Sequence, residues 1–214
     1  MTGARLSPHG SPIGKRPLAA ALGGALLAAV ALSLTVAACN SRSADSLKAI
    51  NDTDCLPHIV LTDQTGKPLD LASLKGKPSL VDFFYTRCPG PCQMMTAKLA
   101  RVADRLGNEL GSKVQVVSVT IDPEHDGPTQ LTDFARKQGA DRKGWIFLTG
   151  TPDQIESLLK MYKLQRIRYS DGTVEHIIAF FLLGPDGLQR REYNPNDVKA
   201  GDVAQDVNKL LPRG

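Results

Sequence analysis

Seven consecutive residues, Ser79-Leu80-Val81-Asp82-Phe83-Phe84-Tyr85, are apolar with little interruption and lead directly into Thr86-Arg87-Cys88-Pro89-Gly90-Pro91-Cys92. So short and apolar a run is what a central strand shows when both of its faces are covered. From Pro91 onward Met95, Leu99, Val102, Leu106 and Leu110 recur at three- and four-residue spacing, which predicts a helix packing one stripe on a sheet. A buried strand, two cysteines and a helix in immediate succession leave few folds open.

The rest of the chain alternates around this unit. His58 to Thr62 and Pro68 to Leu71 read as a small hairpin about Gln64-Thr65-Gly66-Lys67. Val114 to Thr120 is a second buried strand, Asp122 to Pro128 a loop, Leu131 to Gln138 a short helix, and Trp145 to Leu148 an edge or short central strand. Thr151 is a suitable N-cap for a helix from Pro152 to about Lys163. Arg166 to Tyr169, Ile177 to Leu183 and Leu188 to Tyr193 follow as strands, and a last helix covers about Asp197 to Leu211. This order predicts an α/β fold, a mixed central sheet with helices on both faces. Cysteines where the first central strand meets the first long helix occupy the place of the reactive cysteines in a thioredoxin-like fold.

The first 38 residues read as an export signal, to be set aside from fold reasoning: Arg5, Lys15 and Arg16 precede an uncharged run from Leu18 to Ala38, with no acidic residue before Cys39. The run ends in Val36-Ala37-Ala38-Cys39, which looks like a bacterial lipoprotein processing box with Cys39 as the lipidated first residue. The alternative is an uncleaved helix, since the 21 residues of the run match the roughly 20 needed to cross a bilayer. Residues 39–55 then form a lipid-attached tether, and 56–214 the folded domain. On this reading the domain stands on the periplasmic or extracytoplasmic side of a bacterial envelope, tethered to the membrane. Three of the 26 basic residues and none of the 22 acidic ones fall in the signal, leaving a nearly neutral mature chain. Lys and Arg are scattered among Asp and Glu, so no basic stripe points to nucleic acid.

In a helical first turn residues i and i+4 share one face, so Cys88 and Cys92 can present both sulfurs to one point. Two converging thiols can bind a soft metal or form a disulfide, and N–H groups at a helix start favour the thiolate that serves either outcome. Redox sites of the thioredoxin type usually read C-x-x-C; the extra residue here suits opening around an ion. Thiolates favour Cu(I), zinc or iron–sulfur clusters, and imidazole is compatible with copper in either common oxidation state. Of the four histidines, His9 lies in the signal, His58 opens the first strand, and His125 sits in an acidic loop that does not suit Cu(I). His176, in Val174-Glu175-His176-Ile177-Ile178, begins an apolar strand where thioredoxins place a proline facing the cysteines, and it can reach a metal held there.

These residues carry a resemblance. The stretch from Gly76-Lys77-Pro78 through Cys92 resembles the Sco/SenC family of copper proteins; Asp122-Pro123-Glu124-His125-Asp126 resembles the family's D-P-E-x-D loop. Val174-Glu175-His176 with Leu182 to Gly187 resembles its histidine strand and the turn after it. The matches span about Thr62 to Tyr193. One departure is Gln93, where the family commonly has proline. The resemblance implies a thioredoxin-like fold and one copper ion, Cu(I) or Cu(II), held by Cys88, Cys92 and His176. It also implies a role in building the copper centre of cytochrome c oxidase. The partner is then the copper-accepting subunit of that oxidase or another copper chaperone.

A second function stays open: a thiol–disulfide oxidoreductase that reduces the acceptor's cysteines, with Cys88 and Cys92 as the exchanging, disulfide-forming pair. A structural disulfide is the plainer alternative, but so short a loop gains little chain-entropy stabilisation. Met94 and Met95 read as core packing rather than thioether ligands. Cys55 with His58 reads as incidental, and Asp122 and Asp126 as organisers of their own loop.

Overall fold

A computed structural model describes residues 55–170, 174–176 and 178–212, without the side chains of Glu175 and His176. The expected signal, the lipid-bearing Cys39 and all of the tether but Cys55 lie outside the described residues. Among the described residues no helix is long and apolar enough to cross a membrane.

Strands β3 (Ser79–Phe84) and β4 (Gln115–Thr120) are buried at every position. They lie side by side in parallel at the centre of the main sheet. Parallel to β4 on its other side runs β5 (Trp145–Thr149), and the hairpin of β1 (Val60–Asp63) and β2 (Pro68–Asp70) closes that edge through β1. On the far side β8 (Phe180–Leu183) pairs antiparallel with β3, and β9 (Gln189–Tyr193) with β8. The order is β2-β1-β5-β4-β3-β8-β9, so β5 is an interior strand.

Helices α1 (Pro91–Leu106) and α2 (Pro128–Lys137) connect β3 to β4 and β4 to β5. Both connections step across the sheet in one direction, so right-handed crossovers put both helices on one face. Phe134 of α2 accordingly packs on Phe84 and Phe147, ring centroids 4.8 and 6.2 Å away. Helix α4 (Ala200–Leu210) packs against α1 on that face, anchored where the Tyr193 hydroxyl donates to Asp206 at 3.0 Å. Helix α3 (Pro152–Met161) returns from β5 and covers the opposite face, where Phe83, Tyr162 and Phe181 meet edge to face. This is the expected mixed, two-sided α/β arrangement. The two faces separate because Phe83 and Phe84 are consecutive in a strand and point opposite ways.

Boundaries follow local chemistry. Thr151 and Gln154 form a reciprocal capping box that starts α3. Helix α2 begins at Pro128, one turn before the expected Leu131, because proline is accepted at a first helical position where its missing N–H costs nothing.

The segment around His176 departs further from expectation. A single strand was expected over Ile177 to Leu183; instead, among the described residues, β7 (Val174–His176) pairs with β6 (Arg166–Arg168), with His176 opposite Arg166, and β8 begins at Phe180. The histidine therefore closes a strand of a separate two-stranded ribbon rather than opening a strand of the main sheet. An apolar sequence run reports burial, not which sheet provides it.

Candidate metal centre

The candidate site forms where β3 gives way to α1. Gly90 caps that helix with φ +149°, a conformation that side chains other than glycine rarely adopt, and Pro91 fills the first helical position. This turn delivers Cys88 just before the helix and Cys92 into its first turn. Cys88 is 6% exposed and Cys92 fully buried, and both are present as thiols rather than a disulfide.

The sulfur of Cys88 accepts the Cys92 N–H at 3.3 Å. The Cys92 thiol also hydrogen-bonds to it and is the main reason the Cys88 pKa falls to about 6; burial opposes the fall, and the N–H groups of Cys92 and Gly90 and the Tyr85 hydroxyl assist it. The hydrogen bond to Cys88, followed by burial, pushes the Cys92 thiol well above its ordinary range. The pair is thus a thiolate beside a thiol.

Tyr85 is 3% exposed, and its carbonyl accepts the Cys88 N–H at 3.2 Å. Its hydroxyl helps to lower the Cys88 pKa, its backbone N–H works against the rise at Cys92, and the backbone N–H of Val174 works to lower the phenol's own. Burial, then the charge at Cys88, raise the phenol pKa, so the hydroxyl keeps its proton. Val174 lies in β7, two residues before His176.

Two acids brace the approach to Cys88. Asp126 accepts the backbone N–H of Thr86 at 2.9 Å, its hydroxyl, and the Thr120 hydroxyl at 2.6 Å. Asp122, fully buried, accepts from Arg87 at 2.8 Å, Arg168 of β6 at 2.7 Å and the His125 ring at 3.0 Å. Burial works to raise the Asp122 pKa, yet His125, Arg87 and Arg168 together hold it at about 2. The D-P-E-x-D loop therefore organises not only itself but the cysteine loop and the β6–β7 ribbon. The unlike charges of Arg87, Asp122 and Arg168 were visible in sequence, but their convergence depends on topology.

Beneath the cysteines lies Asp82, fully buried in β3. One carboxyl oxygen accepts the Ser118 hydroxyl, which itself accepts the Trp145 indole N–H at 2.9 Å. Its Oδ2 has no hydrogen-bond partner among the described residues. Burial raises its pKa to about 7, against the Ser118 hydrogen bond, and its charge adds to the rise at Cys92.

Of the residues singled out in sequence, Cys88 and Cys92 are brought together. His176 is placed only by its backbone in β7; its side chain lies outside the described residues, as does Cys39. Among the described residues no three His, Cys, Asp or Glu side chains gather as a metal-holding group. The two methionines divide: Met95 is buried and Met94 is 60% exposed. Cys55 lines a small apolar cavity with Val81, Phe83 and Tyr162. Two adjoining sulfurs, Cys88 from the loop before α1 and Cys92 from its first turn, the former already favouring the thiolate, make a donor set that fits a soft ion.

Over residues 48–212 the chain matches the SCO1/SenC family. It is 36% identical over 149 residues to the SCO1 protein homolog of Bacillus subtilis, which spans 68% of this chain and 77% of that protein. Among solved structures it is similar to a SCO1/SenC family lipoprotein from Bacillus anthracis, with TM-score 0.69 and 29% identity over 77% of this chain and 98% of the other. It is similar also to Bradyrhizobium japonicum ScoI with copper bound, with TM-score 0.63 and 28% identity over 71% and 96% of the two chains. BsSco, a protein with a disulfide switch described as a member of the Sco family of cytochrome c oxidase assembly proteins, gives TM-score 0.65 and 33% identity over 76% and 95%.

Proposed function

The chain belongs to the SCO1/SenC family, and from that premise we propose that it is a copper metallochaperone. It holds one copper ion on Cys88, Cys92 and His176 and passes it to a copper-accepting subunit of cytochrome c oxidase or to another copper chaperone. The observation that carries this reading is the pair of buried sulfurs at the β3–α1 junction, Cys88 from the loop and Cys92 from the first turn of α1, joined where the Cys92 N–H donates to the Cys88 sulfur at 3.3 Å. Relatives with copper bound and with a role in oxidase assembly support it. Taking the ion on both sulfurs releases the Cys92 proton, so uptake is coupled to proton release. A site of three protein ligands leaves room for an acceptor's sulfurs or imidazoles to enter before Cys88 and Cys92 let go.

We also propose that residues 1–38 are cleaved, that Cys39 carries the lipid, and that residues 39–55 tether the domain of 56–214 on the periplasmic or extracytoplasmic side of a bacterial membrane. The Val36-Ala37-Ala38-Cys39 box supports this, as does a relative described as a lipoprotein.

A second reading, thiol–disulfide oxidoreductase, has its own observation. The asymmetry between a thiolate-favouring Cys88 and a proton-holding Cys92 is that of an attacking and a resolving cysteine. An anaerobic Cu(I) titration of the full chain in detergent separates the two. One copper per chain, lost in Cys88→Ser, Cys92→Ser and His176→Ala alike, supports the chaperone. A His176→Ala protein that still supports oxidase assembly in full supports the reductase.

A further inference from the structure

The two ends of strands β3, β4 and β5 differ in charge. The three run parallel, so the segments that lead into them gather at one end of the sheet and the segments that leave them at the other. Those leaving, residues 85–90, 121–127 and 150–151, carry Arg87 against Asp122, Glu124 and Asp126, and Cys88 stands among them. Those leading in, residues 71–78, 107–114 and 138–144, carry Lys75, Lys77, Lys113, Arg142 and Lys143 against Glu109 and Asp141. They form one surface around Gly111. The Lys77 ammonium donates to the Gly111 carbonyl at 3.3 Å, and a Cβ built on Gly111 would lie 3.0 Å from Lys143 Cγ. Lys75, Lys113 and Lys143 are exposed. Lys113 pairs with Glu109 at 3.2 Å and Arg142 with Asp104 of α1 at 2.7 Å; surface pairs of this kind hold their partners weakly, and a positive excess remains.

The chain enters the described domain at this same end. The Cys55 N–H donates to the Gly187 carbonyl at 3.1 Å and the Gly76 N–H to the Pro185 carbonyl at 2.7 Å. Both acceptors lie in the turn after β8, whose last residue, Leu183, stands opposite Ser79, the first residue of β3. The cysteines follow the other end of β3, about 17 Å further along at the usual rise per residue. Sixteen residue steps join Cys39 to Cys55, at most about 55 Å of chain, so the tether by itself allows either end of the sheet to meet the membrane. Charge distinguishes the two. We propose that the lysine-bearing end is a docking surface for the anionic headgroups of the membrane that holds the anchor, so that the cysteine end, with its excess of carboxylates, points away from the bilayer. The inference rests on the lipid-anchor reading and adds an orientation to it: an acceptor reaches Cys88 and Cys92 from the aqueous side. Each lysine within a Debye length of an anionic surface raises membrane partitioning about fivefold, and a basic patch beside an acyl chain is a second anchoring signal.

The test is acetylation of the full chain, reconstituted in vesicles of phosphatidylcholine alone or mixed with phosphatidylglycerol, with the rate at each lysine read by peptide mass spectrometry. On the anionic vesicles Lys75, Lys113 and Lys143 react several-fold more slowly than on the neutral ones, and high salt abolishes the difference. Lys209 serves as the control: it is half-exposed beside Asp206, which also takes the Tyr193 hydroxyl at the cysteine-side end of β9, and it reacts alike on both. Equal rates on the two kinds of vesicle at the three lysines, or slowing at Lys209 instead, overturn the proposal. If the parent chain does not sediment with neutral vesicles, the anchor reading has failed by itself. The rates at the three lysines with anionic vesicles, against those in vesicle-free buffer, then still decide the surface: slowing supports it and unchanged rates overturn it.

Discussion

Asp126, in the loop after β4, accepts both the backbone N–H and the hydroxyl of Thr86, two residues before Cys88. With the Thr120 hydroxyl as a third donor to a fully buried carboxylate, the contact fixes the start of the cysteine loop to the end of the neighbouring strand. Asp126→Ala leaves those buried donors unpaired and is expected to cost about 3 kcal/mol. Urea unfolding followed by circular dichroism measures it; a cost within half a kcal/mol of zero would mean the contact is not a brace.

Asp122 gives a prediction with a pH signature. Burial acts against its charge, but His125, Arg87 and Arg168 together bring it from 3.8 to about 2. A carboxyl lowered on folding contributes stability that is present above pH 3.8 and disappears as pH falls through about 2; the full contribution at neutral pH is about 2 kcal/mol. Asp122→Asn should therefore be less stable than the parent at pH 7 by about that amount, and the gap should close between pH 4 and pH 2. Parallel unfolding midpoints across that range check it, and a gap that stays constant with pH would exclude the charge as its source.

These braces show where sequence stops. The central strands, the cysteine-bearing helix start and the capped α3 were legible because each is written in local periodicity or a local cap. Cys88 and Cys92 were legible as a pair from their spacing at a strand–helix junction, but not in the expected helical turn: the helix starts at Pro91 and holds only Cys92, and Cys88 is brought to it by the loop and by the Cys92 N–H. What the periodicity did not reveal depends on distant segments meeting: Asp122 joining residues 35 and 46 positions away, or β7 leaving the main sheet to pair with β6. Asp82 was a lone polar residue in a buried run, which marks a special position without saying what it faces.

The asymmetry of the cysteine pair predicts which sulfur reacts. With its pKa lowered to about 6, Cys88 is mostly thiolate at pH 7 and Cys92 is not. Iodoacetamide should modify Cys88 first, with a rate rising through pH 6, as followed by peptide mass spectrometry. Removing the neighbouring thiol in Cys92→Ala takes away the leading cause of the fall, so the midpoint should move up toward the ordinary thiol range. A midpoint unmoved by Cys92→Ala would assign the effect to the backbone N–H groups alone.

Asp82 carries the opposite sign from Asp122. Burial raises it from 3.8 to about 7, so the folded chain binds this proton more tightly than the unfolded chain does. Its favourable contribution is complete below pH 3.8 and is lost as pH rises through about 7; the loss approaches about 4 kcal/mol by pH 8. Asp82→Asn keeps an oxygen for the Ser118 hydroxyl and cannot ionise, although its amide then meets the place where Oδ2 has no partner. That mismatch costs about the same at every pH, roughly 1–3 kcal/mol, so the pH dependence isolates the charge. The variant should gain stability relative to the parent as pH rises from 5 to about 7 and level off by pH 8. A difference that does not vary across this interval would mean that Asp82 is not protonated in the fold at pH 5.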